Sequence, residues 1–163
     1  MALSWNEIKD RALKFTKEWE GESRERAEKD TFWNDFFNIF GITRRRLATF
    51  EEPVKKLSGS QGFIDLFWKG TLLVEHKSKG KNLDAAFEQA ANYFHGIKEL
   101  DLPKYVLVSD FERFKLYDLD DKREYEFSIQ ELHKNIKLFG FIAGYQKRSF
   151  KDEDPVNIKA AEL

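Results

Sequence analysis

The segment GFIDLFWKGTLLVEHKS, residues 62–78, decides the fold, because two apolar runs in it are separated by the turn residues Lys69 and Gly70. Short runs of β-branched, aromatic and other apolar residues around such a turn predict two paired antiparallel strands. The run before the turn is so apolar that both of its faces are expected to be covered. An ionised Asp65 within it is therefore costly unless a positive charge meets it.

Three side chains in this segment suggest a chemical function. Because side chains alternate along a strand, Glu75 and Lys77 share one face, while Val74 and His76 share the other. Pairing of the two strands brings Asp65 beside Glu75. A divalent cation removes the repulsion between two carboxylates, and Mg²⁺ suits a site that leaves positions for water and phosphate. The pattern therefore indicates phosphodiester hydrolysis, with a structural ion pair as the competing interpretation.

The elements around this segment predict the fold class. Residues 48–56, 62–68 and 71–78 form a three-stranded antiparallel meander. Helices with one apolar stripe need a sheet to cover, so the chain is expected to be an α/β domain with a central mixed β-sheet flanked by helices. The remaining predicted elements are helices at residues 4–20, 24–41, 83–100 and 128–139, and strands at residues 105–109 and 114–117.

Composition limits the classes of protein that remain. The 28 Lys and Arg residues against 29 Asp and Glu residues give a formal net charge of -1, so any DNA-binding surface must be local. The chain has no cysteine, which excludes disulfides and zinc-thiolate sites. No apolar run approaches the roughly 20 residues that span a bilayer. We therefore expect a soluble, cytoplasmic protein with no membrane partner.

The order of Asp65, Glu75 and Lys77 resembles that of the PD-(D/E)xK nuclease superfamily, with Ile64 in place of the proline. Longer stretches are more specific and resemble the N-terminal nuclease region of MmeI-like restriction-modification enzymes, often called type IIL or IIG. The resemblance covers roughly the first 145 residues and rests on FWNDFF (32–37), RRR (44–46), QGFIDL (61–66) and VEHKS (74–78). It implies a restriction-endonuclease-like domain at residues 1–146 and a linker or tail at residues 147–163. It also implies a bacterial or archaeal source.

The expected active site combines these inferences. Asp65 and Glu75 would hold Mg²⁺, for which Mn²⁺ substitutes, and the backbone carbonyl of His76 could complete the metal shell. Lys77 would orient the attacking water or stabilise the developing negative charge. Gln89 and Tyr93 form a Gln-x-x-x-Tyr pair on one helical face, similar to an accessory motif of recombination-associated and phage exonucleases. In that resemblance Gln89 helps position water or substrate, although such pairs also occur in ordinary amphipathic helices.

Further residues are candidates for metal and DNA contacts. Superfamily members often add an acidic residue from an early helix, for which Asp35 is the candidate and Glu28 and Glu51 are its rivals. Two basic groups could contact phosphates beside the scissile bond, although a solvated surface is the competing interpretation: Lys79 and Lys81, and Arg44, Arg45 and Arg46. Two histidines, His95 and His133, have no partners at metal or catalytic spacing.

The resemblance also implies the function and partners of the domain. MmeI-like enzymes join a nuclease to an adenine methyltransferase and a target-recognition domain, and they cut double-stranded DNA. No methyltransferase motif occurs in this sequence, so we expect it to be a fragment that supplies weak or unspecific cleavage. Cutting both strands implies transient pairing of nuclease domains on DNA. The alternatives are a catalytically inactive DNA-binding or scaffolding module of the same fold, and a repair-type exonuclease.

Overall fold

Two amphipathic helices, α1 (Trp5–Trp19) and α2 (Glu25–Ile39), begin the computed structural model, which describes residues 2–145. The Ser4 side chain caps α1 by accepting a hydrogen bond from the Glu7 backbone N–H at 3.2 Å. The apolar face of α1 packs in the core, and its buried members are Ile8, Ala12, Phe15 and Trp19.

Within residues 2–145, six strands form one mixed sheet whose order follows the chain. The first three strands pair antiparallel, which confirms the predicted meander. The third and fourth strands are parallel and are connected through α3 (Leu83–Tyr93). The later pairs are again antiparallel. The strands are β1 (Thr49–Lys55), β2 (Gln61–Trp68), β3 (Leu72–His76), β4 (Tyr105–Ser109), β5 (Arg113–Asp118) and β6 (Arg123–Ser128).

Different elements pack on the two faces of the sheet. Helices α1 and α2 and the segment after β6 pack on one face, and the rings of this cluster include Phe32, Trp33, Phe36, Phe114 and Phe139. A smaller cluster joins the other face to α3. Burial on both faces explains why all five residues of β3 are buried. The predicted α/β architecture, a central mixed sheet flanked by helices, is therefore confirmed.

The helix after the meander is shorter than predicted. It ends at Tyr93 and is followed by 3₁₀ turns at Phe94–Gly96 and Glu99–Asp101, where the sequence predicts one helix to residue 100. A Cβ atom added at Gly96 would lie 2.2 Å from the Lys55 carbonyl oxygen. The chain therefore turns where its backbone passes directly against β1, a contact that only glycine permits.

The prediction of a helix at residues 128–139 is also wrong. Its region folds as 3₁₀ turns at Ile129–Lys134 and Ile136–Phe139, followed by the short helix α4 (Gly140–Ala143). Ser128 makes no side-chain cap, and the buried Thr16 hydroxyl donates to the Ile129 carbonyl instead. Tertiary contact with α1 thus replaces the helical pattern at its start.

Strand β6 was not predicted, because its exposed, charged residues resemble a loop. It is an edge strand, where charged side chains are common. No helix within residues 2–145 has the length and apolar character needed to cross a membrane. The predicted tail at residues 147–163 lies outside the described residues.

Candidate active site

The regular alternation of side chains along β2 is broken at Asp65, and we call this irregularity the exchange of faces. Leu66 packs in the cluster with α1 and α2, whereas Ile64, two residues earlier, packs in the cluster with α3. Regular alternation would keep both on one face. In the register of the β1–β2 pair, the residue opposite Asp65 is Glu51, whose φ of 52° is uncommon for a residue other than glycine. The hairpin is therefore distorted at the residue that carries the carboxylate.

Strand β3 places its last two side chains on opposite faces, in agreement with the predicted alternation. The His76 ring lies among the aromatic rings beneath α2, where its Nδ1 accepts a hydrogen bond from Trp33 Nε1 at 3.0 Å. Burial lowers the pKa of His76 to about 4. Glu75 lies on the α3 side, next to Tyr93. The imidazole is therefore a neutral part of the core, and only the main chain of His76 is available to the site.

A cavity of about 560 Å³ opens at the carboxyl end of β3. We call it the carboxylate cavity; its lining includes Asp65, Glu75, Lys77, Lys81, Gln89 and Tyr93. The structure thus brings the three principal predicted residues and the predicted accessory pair into one place. Asp65 and Glu75 belong to the same cavity rather than to opposite layers of the domain.

Glu75 has the most perturbed carboxyl group of the cavity. The residue is 2% exposed, and its Oε1 has no hydrogen-bond partner among the described residues. Burial, followed by the negative charge of Asp65, raises the pKa of Glu75 to about 9, while the nearby Lys77 acts in the opposite direction. The carboxyl group is therefore neutral at neutral pH until a cation compensates its charge.

Lys77 is held by the predicted accessory pair on α3. Its Nζ donates to Gln89 Oε1 at 2.5 Å, and Gln89 Nε2 donates to the Tyr93 hydroxyl at 3.3 Å. Burial, followed by the charge of Glu75, raises the pKa of Tyr93 to about 12, so its hydroxyl stays protonated. The Gln-x-x-x-Tyr pair thus fixes the position of the lysine from one face of the helix.

Both oxygens of Asp65 have partners. Oδ2 accepts the backbone N–H of His76 at 2.7 Å, and Oδ1 accepts from Lys29 Nζ at 3.0 Å. The same ammonium lies 3.3 Å from Glu51 Oε1. Burial lowers the pKa of Lys29, but the charges of Asp65 and Glu51 outweigh burial and raise it above its usual value. Lys29 is therefore a charged partner of Asp65 that the sequence did not reveal, because a lone lysine on an amphipathic helix carries no such signal.

The early acidic residues are arranged differently from the prediction. Asp35 accepts from Trp19 Nε1 at 3.1 Å and lines a separate cavity, while Glu28 pairs with Arg24 at 3.6 Å. Glu25, which the sequence analysis did not select, lines the carboxylate cavity. Ten residues separate it from Asp35, or about 15 Å of helix. The first residue of α2, rather than Asp35 in its later turns, therefore brings an acidic side chain to the site.

The predicted basic residues also separate into different places. Lys81 lines the carboxylate cavity, and Lys79 lies 3.6 Å from Glu112. Arg44 is used within the fold: it donates to Asn34 Oδ1 and to the Ala48 carbonyl, both at 2.8 Å, and its guanidinium lies over a phenyl ring. These contacts give Arg44 a structural role, and the phosphate contact of Arg44 stays a prediction. Its neighbours Arg45 and Arg46 are exposed and do not line the carboxylate cavity.

The buried Asp110 fixes the loop that follows β3. Its carboxylate accepts the backbone N–H of Gly80 at 3.0 Å and pairs with Arg113 at 2.9 Å. Arg113 Nη2 in turn donates to the Lys81 carbonyl at 2.7 Å. Burial raises the pKa of Asp110, but these hydrogen bonds outweigh burial and lower it. The loop therefore holds Lys81 at the cavity through charge-assisted bonds.

The cavity fits a hard divalent cation with few protein ligands. Residues 2–145 contain no group of three or more His, Cys, Asp or Glu side chains placed to hold a metal ion. Two adjacent carboxylates are present, however, and the unpartnered Oε1 of Glu75 lacks the hydrogen bond that a buried oxygen normally has. Mg²⁺ is commonly held by one or two carboxylates together with water and phosphate oxygens. The donor set is therefore compatible with Mg²⁺.

The domain has a mixed sheet covered on both faces, with Asp65 on β2 and Glu75 and Lys77 at the end of β3, which is the arrangement that the sequence resemblance implies. Residues 10–163 match the family model described as MmeI, N-terminal domain, and the chain belongs to this family. The resemblance that the sequence motifs suggested is thereby confirmed.

One relative and one structural neighbour are much longer than this chain. DNA methyltransferase A of Bacillus subtilis (strain 168) is 24% identical over 139 residues, which are 84% of this chain and 15% of that protein. A chain in the cryoEM structure of a DrdV-DNA complex is similar with a TM-score of 0.56 and 12% identity, covering 88% of this chain and 14% of the other. At this identity the second likeness concerns the fold alone. The chain spans about a seventh of each relative.

The raised pKa of Glu75 predicts a loss of stability at alkaline pH in metal-free buffer. The carboxyl group has a pKa of about 9 in the folded protein against its ordinary 4.5, so its contribution to stability is complete below pH 4.5 and is lost as pH rises toward 9. The lowered pKa of His76 has the opposite effect on stability, but only between about pH 4 and pH 6.5. We expect the free energy of unfolding to fall by about 1 kcal/mol per pH unit between pH 7 and 9, as measured by urea denaturation in EDTA.

Glu75→Gln provides the matched control, because it keeps the shape of the side chain and removes the titration. Its unfolding free energy is expected to stay nearly constant over the same pH range. An equal alkaline loss in Glu75→Gln would show that another group causes it.

Proposed function

We propose that this domain is the DNA-cleaving part of a restriction-modification enzyme and that it hydrolyses phosphodiester bonds of double-stranded DNA with Mg²⁺. The observation that carries the proposal is the position of Asp65, Glu75 and Lys77 in one cavity. Membership of the MmeI N-terminal domain family supports it, as do the methyltransferase name of one relative and the DNA-bound state of the other. Methylation and target recognition belong, in this proposal, to other domains of the whole enzyme.

Each residue has a distinct task in the proposed reaction. Asp65, Glu75 and the His76 carbonyl would hold Mg²⁺, and Glu75 releases its proton when it becomes a ligand. When bound, Mg²⁺ polarises the scissile phosphate and makes a water molecule more acidic. Lys77, held by Gln89, stabilises the negative charge that develops on the phosphate. Lys29, which does not line the cavity, neutralises the negative charge of Asp65.

A closed circular plasmid tests the proposed reaction. We expect the wild-type chain to convert it slowly to nicked and linear forms with Mg²⁺ or Mn²⁺, and to leave it intact in EDTA. Cutting of both strands requires two sites, so linear product should increase with protein concentration as two copies pair on the DNA. A plasmid left intact under all these conditions would contradict cleavage by this chain.

A repair-type exonuclease is a second candidate, favoured by the hydrogen bonds that join Lys77, Gln89 and Tyr93. An end-dependent enzyme would degrade linear DNA and spare the closed circle. The same plasmid, compared before and after linearisation, therefore separates the two reactions. A catalytically inactive module would cut neither form and would bind no metal in the carboxylate cavity.

Metal binding gives a prediction that does not depend on cleavage. We expect Asp65→Asn and Glu75→Gln each to lower the Mn²⁺ affinity, measured by isothermal titration calorimetry, by at least about tenfold, since even outer partners of metal ligands contribute that much. Asp35→Asn serves as the control and should leave the affinity unchanged, because Asp35 lines another cavity. An effect of Asp35→Asn equal to that of Asp65→Asn would place the metal elsewhere.

A further inference from the structure

An aromatic ring is exposed at the carboxylate cavity. Among residues 2–145 four large hydrophobic side chains are exposed, and Phe63 is the aromatic one, with 52% of its surface accessible. It is also the one of the four that lines the cavity with Asp65 and Glu75. Phe63 belongs to neither apolar cluster of the core. Its ring is therefore available to a ligand in the cavity.

The distortion of the β1–β2 hairpin explains why this ring is exposed. With regular alternation, Phe63 would share a face with Phe67, which is buried in the cluster beneath α3. The exchange of faces at Asp65 instead places the neighbouring Ile64 in that cluster. Glu51, opposite Asp65, adopts the positive φ that accompanies the exchange. Such strain in a residue other than glycine costs free energy and is concentrated at functional sites.

The surroundings of Phe63 define the kind of ligand that it fits. Lys77 and Lys81 line the same cavity and attract an anion, while the ring offers a flat apolar surface. A nucleotide has both properties, because its phosphate is anionic and its base stacks on aromatic side chains. Bases within a regular duplex are already stacked and paired. A base can reach Phe63 only after it leaves the stack, which costs least in single-stranded or mismatched DNA.

We propose that Phe63 stacks on the base next to the scissile phosphate, and that the carboxylate cavity therefore accepts a nucleotide that has left the duplex stack. This inference rests on the proposed DNA cleavage and adds the state of the substrate at the cut. Phe63 is a positioning residue here, since it holds the nucleotide while the carboxylates and Lys77 act on the phosphate.

Binding of a short fluorescein-labelled single DNA strand in EDTA tests the proposal without cleavage. We expect Phe63→Ala to weaken this binding roughly 5-fold to 100-fold, the range of one base stacked on an aromatic ring. Phe63→Tyr, which keeps a ring, should bind the single strand about as tightly as the wild-type protein does. Binding to a perfectly paired duplex should change less than about twofold, because phosphate contacts dominate there. A duplex with one mismatch should respond as the single strand does.

Leu57→Ala is the matched control, because Leu57 is a 66% exposed apolar residue of the same hairpin that does not line the cavity. It should leave single-strand binding unchanged. Equal single-strand affinities of Phe63→Ala and the wild-type protein would overturn the proposal, as would a wild-type protein that does not bind the strand. The plasmid assay reports separately on cleavage: stacking without cutting contradicts only the nuclease function, and cutting with unchanged Phe63→Ala binding contradicts only the stacking.

Discussion

Lys77→Met is expected to lower the rate of plasmid nicking by about 100-fold to 1000-fold, the effect of removing one positioned group that stabilises transition-state charge. The ammonium of Lys77 is held at the carboxylate cavity by a 2.5 Å hydrogen bond to Gln89. Methionine has a similar length and no charge, so it removes the electrostatic contribution while filling the same space. The measurement is the initial rate of conversion of closed circular plasmid with Mn²⁺.

Two comparisons make this result specific to the site. Lys98→Met removes a charge from an exposed lysine outside the cavity and should keep the wild-type rate. Gln89→Leu should reduce the rate less than Lys77→Met, since it loosens the lysine without removing it. A Lys77→Met protein that is folded and nicks plasmid at the wild-type rate would show that cleavage, if present, uses another site.

Phe36→Ala is expected to lower the free energy of unfolding by about 3–5 kcal/mol, the usual cost of removing a buried aromatic ring from a packed core. Phe36 is fully buried, and its ring contacts six others. Those rings belong to Phe15, Trp33, Phe37, Phe40, Phe114 and Phe139. The cavity left by alanine cannot close easily, because it is bounded by α1, α2, β5 and the segment after β6. Urea denaturation followed by circular dichroism measures the change.

Phe63→Ala removes the same side chain from an exposed position and provides the comparison. Because its ring is 52% exposed and outside both core clusters, its unfolding free energy should stay within about 0.5 kcal/mol of the wild-type value. If the two substitutions had equal effects on stability, Phe63 would be a core residue, and the stacking proposal would lose its basis.

Much of the fold follows from local patterns in the sequence. The meander was predictable because apolar runs around Lys69 and Gly70 can bury both faces only as paired strands. Alternation along β3 was enough to separate Glu75 from His76. The lengths of the later helices were not predictable, because they depend on distant contacts. Gly96 meets β1, and Ile129 receives a hydrogen bond from Thr16.

The candidate site shows the same division. Asp65, Glu75 and Lys77 were identifiable from their sequence spacing, because two adjacent strands bring such positions together whatever surrounds them. Glu25 and Lys29 were not, since their approach to the cavity depends on how α2 crosses the sheet. Asp35 was a plausible candidate on the same helix, yet the axis of α2 carries it to another cavity.

The sequence by itself determined the order of the elements as far as β5, the pairing of β2 with β3, and the three side chains that these strands bring together. These properties depend on neighbours in the chain, whose geometry is set by strand alternation and turns. Only the tertiary structure decided that β2 exchanges its faces at Asp65, that Lys29 meets this carboxylate, and that Phe63 is left exposed. Each of these depends on packing between segments far apart in the chain, which no local pattern records.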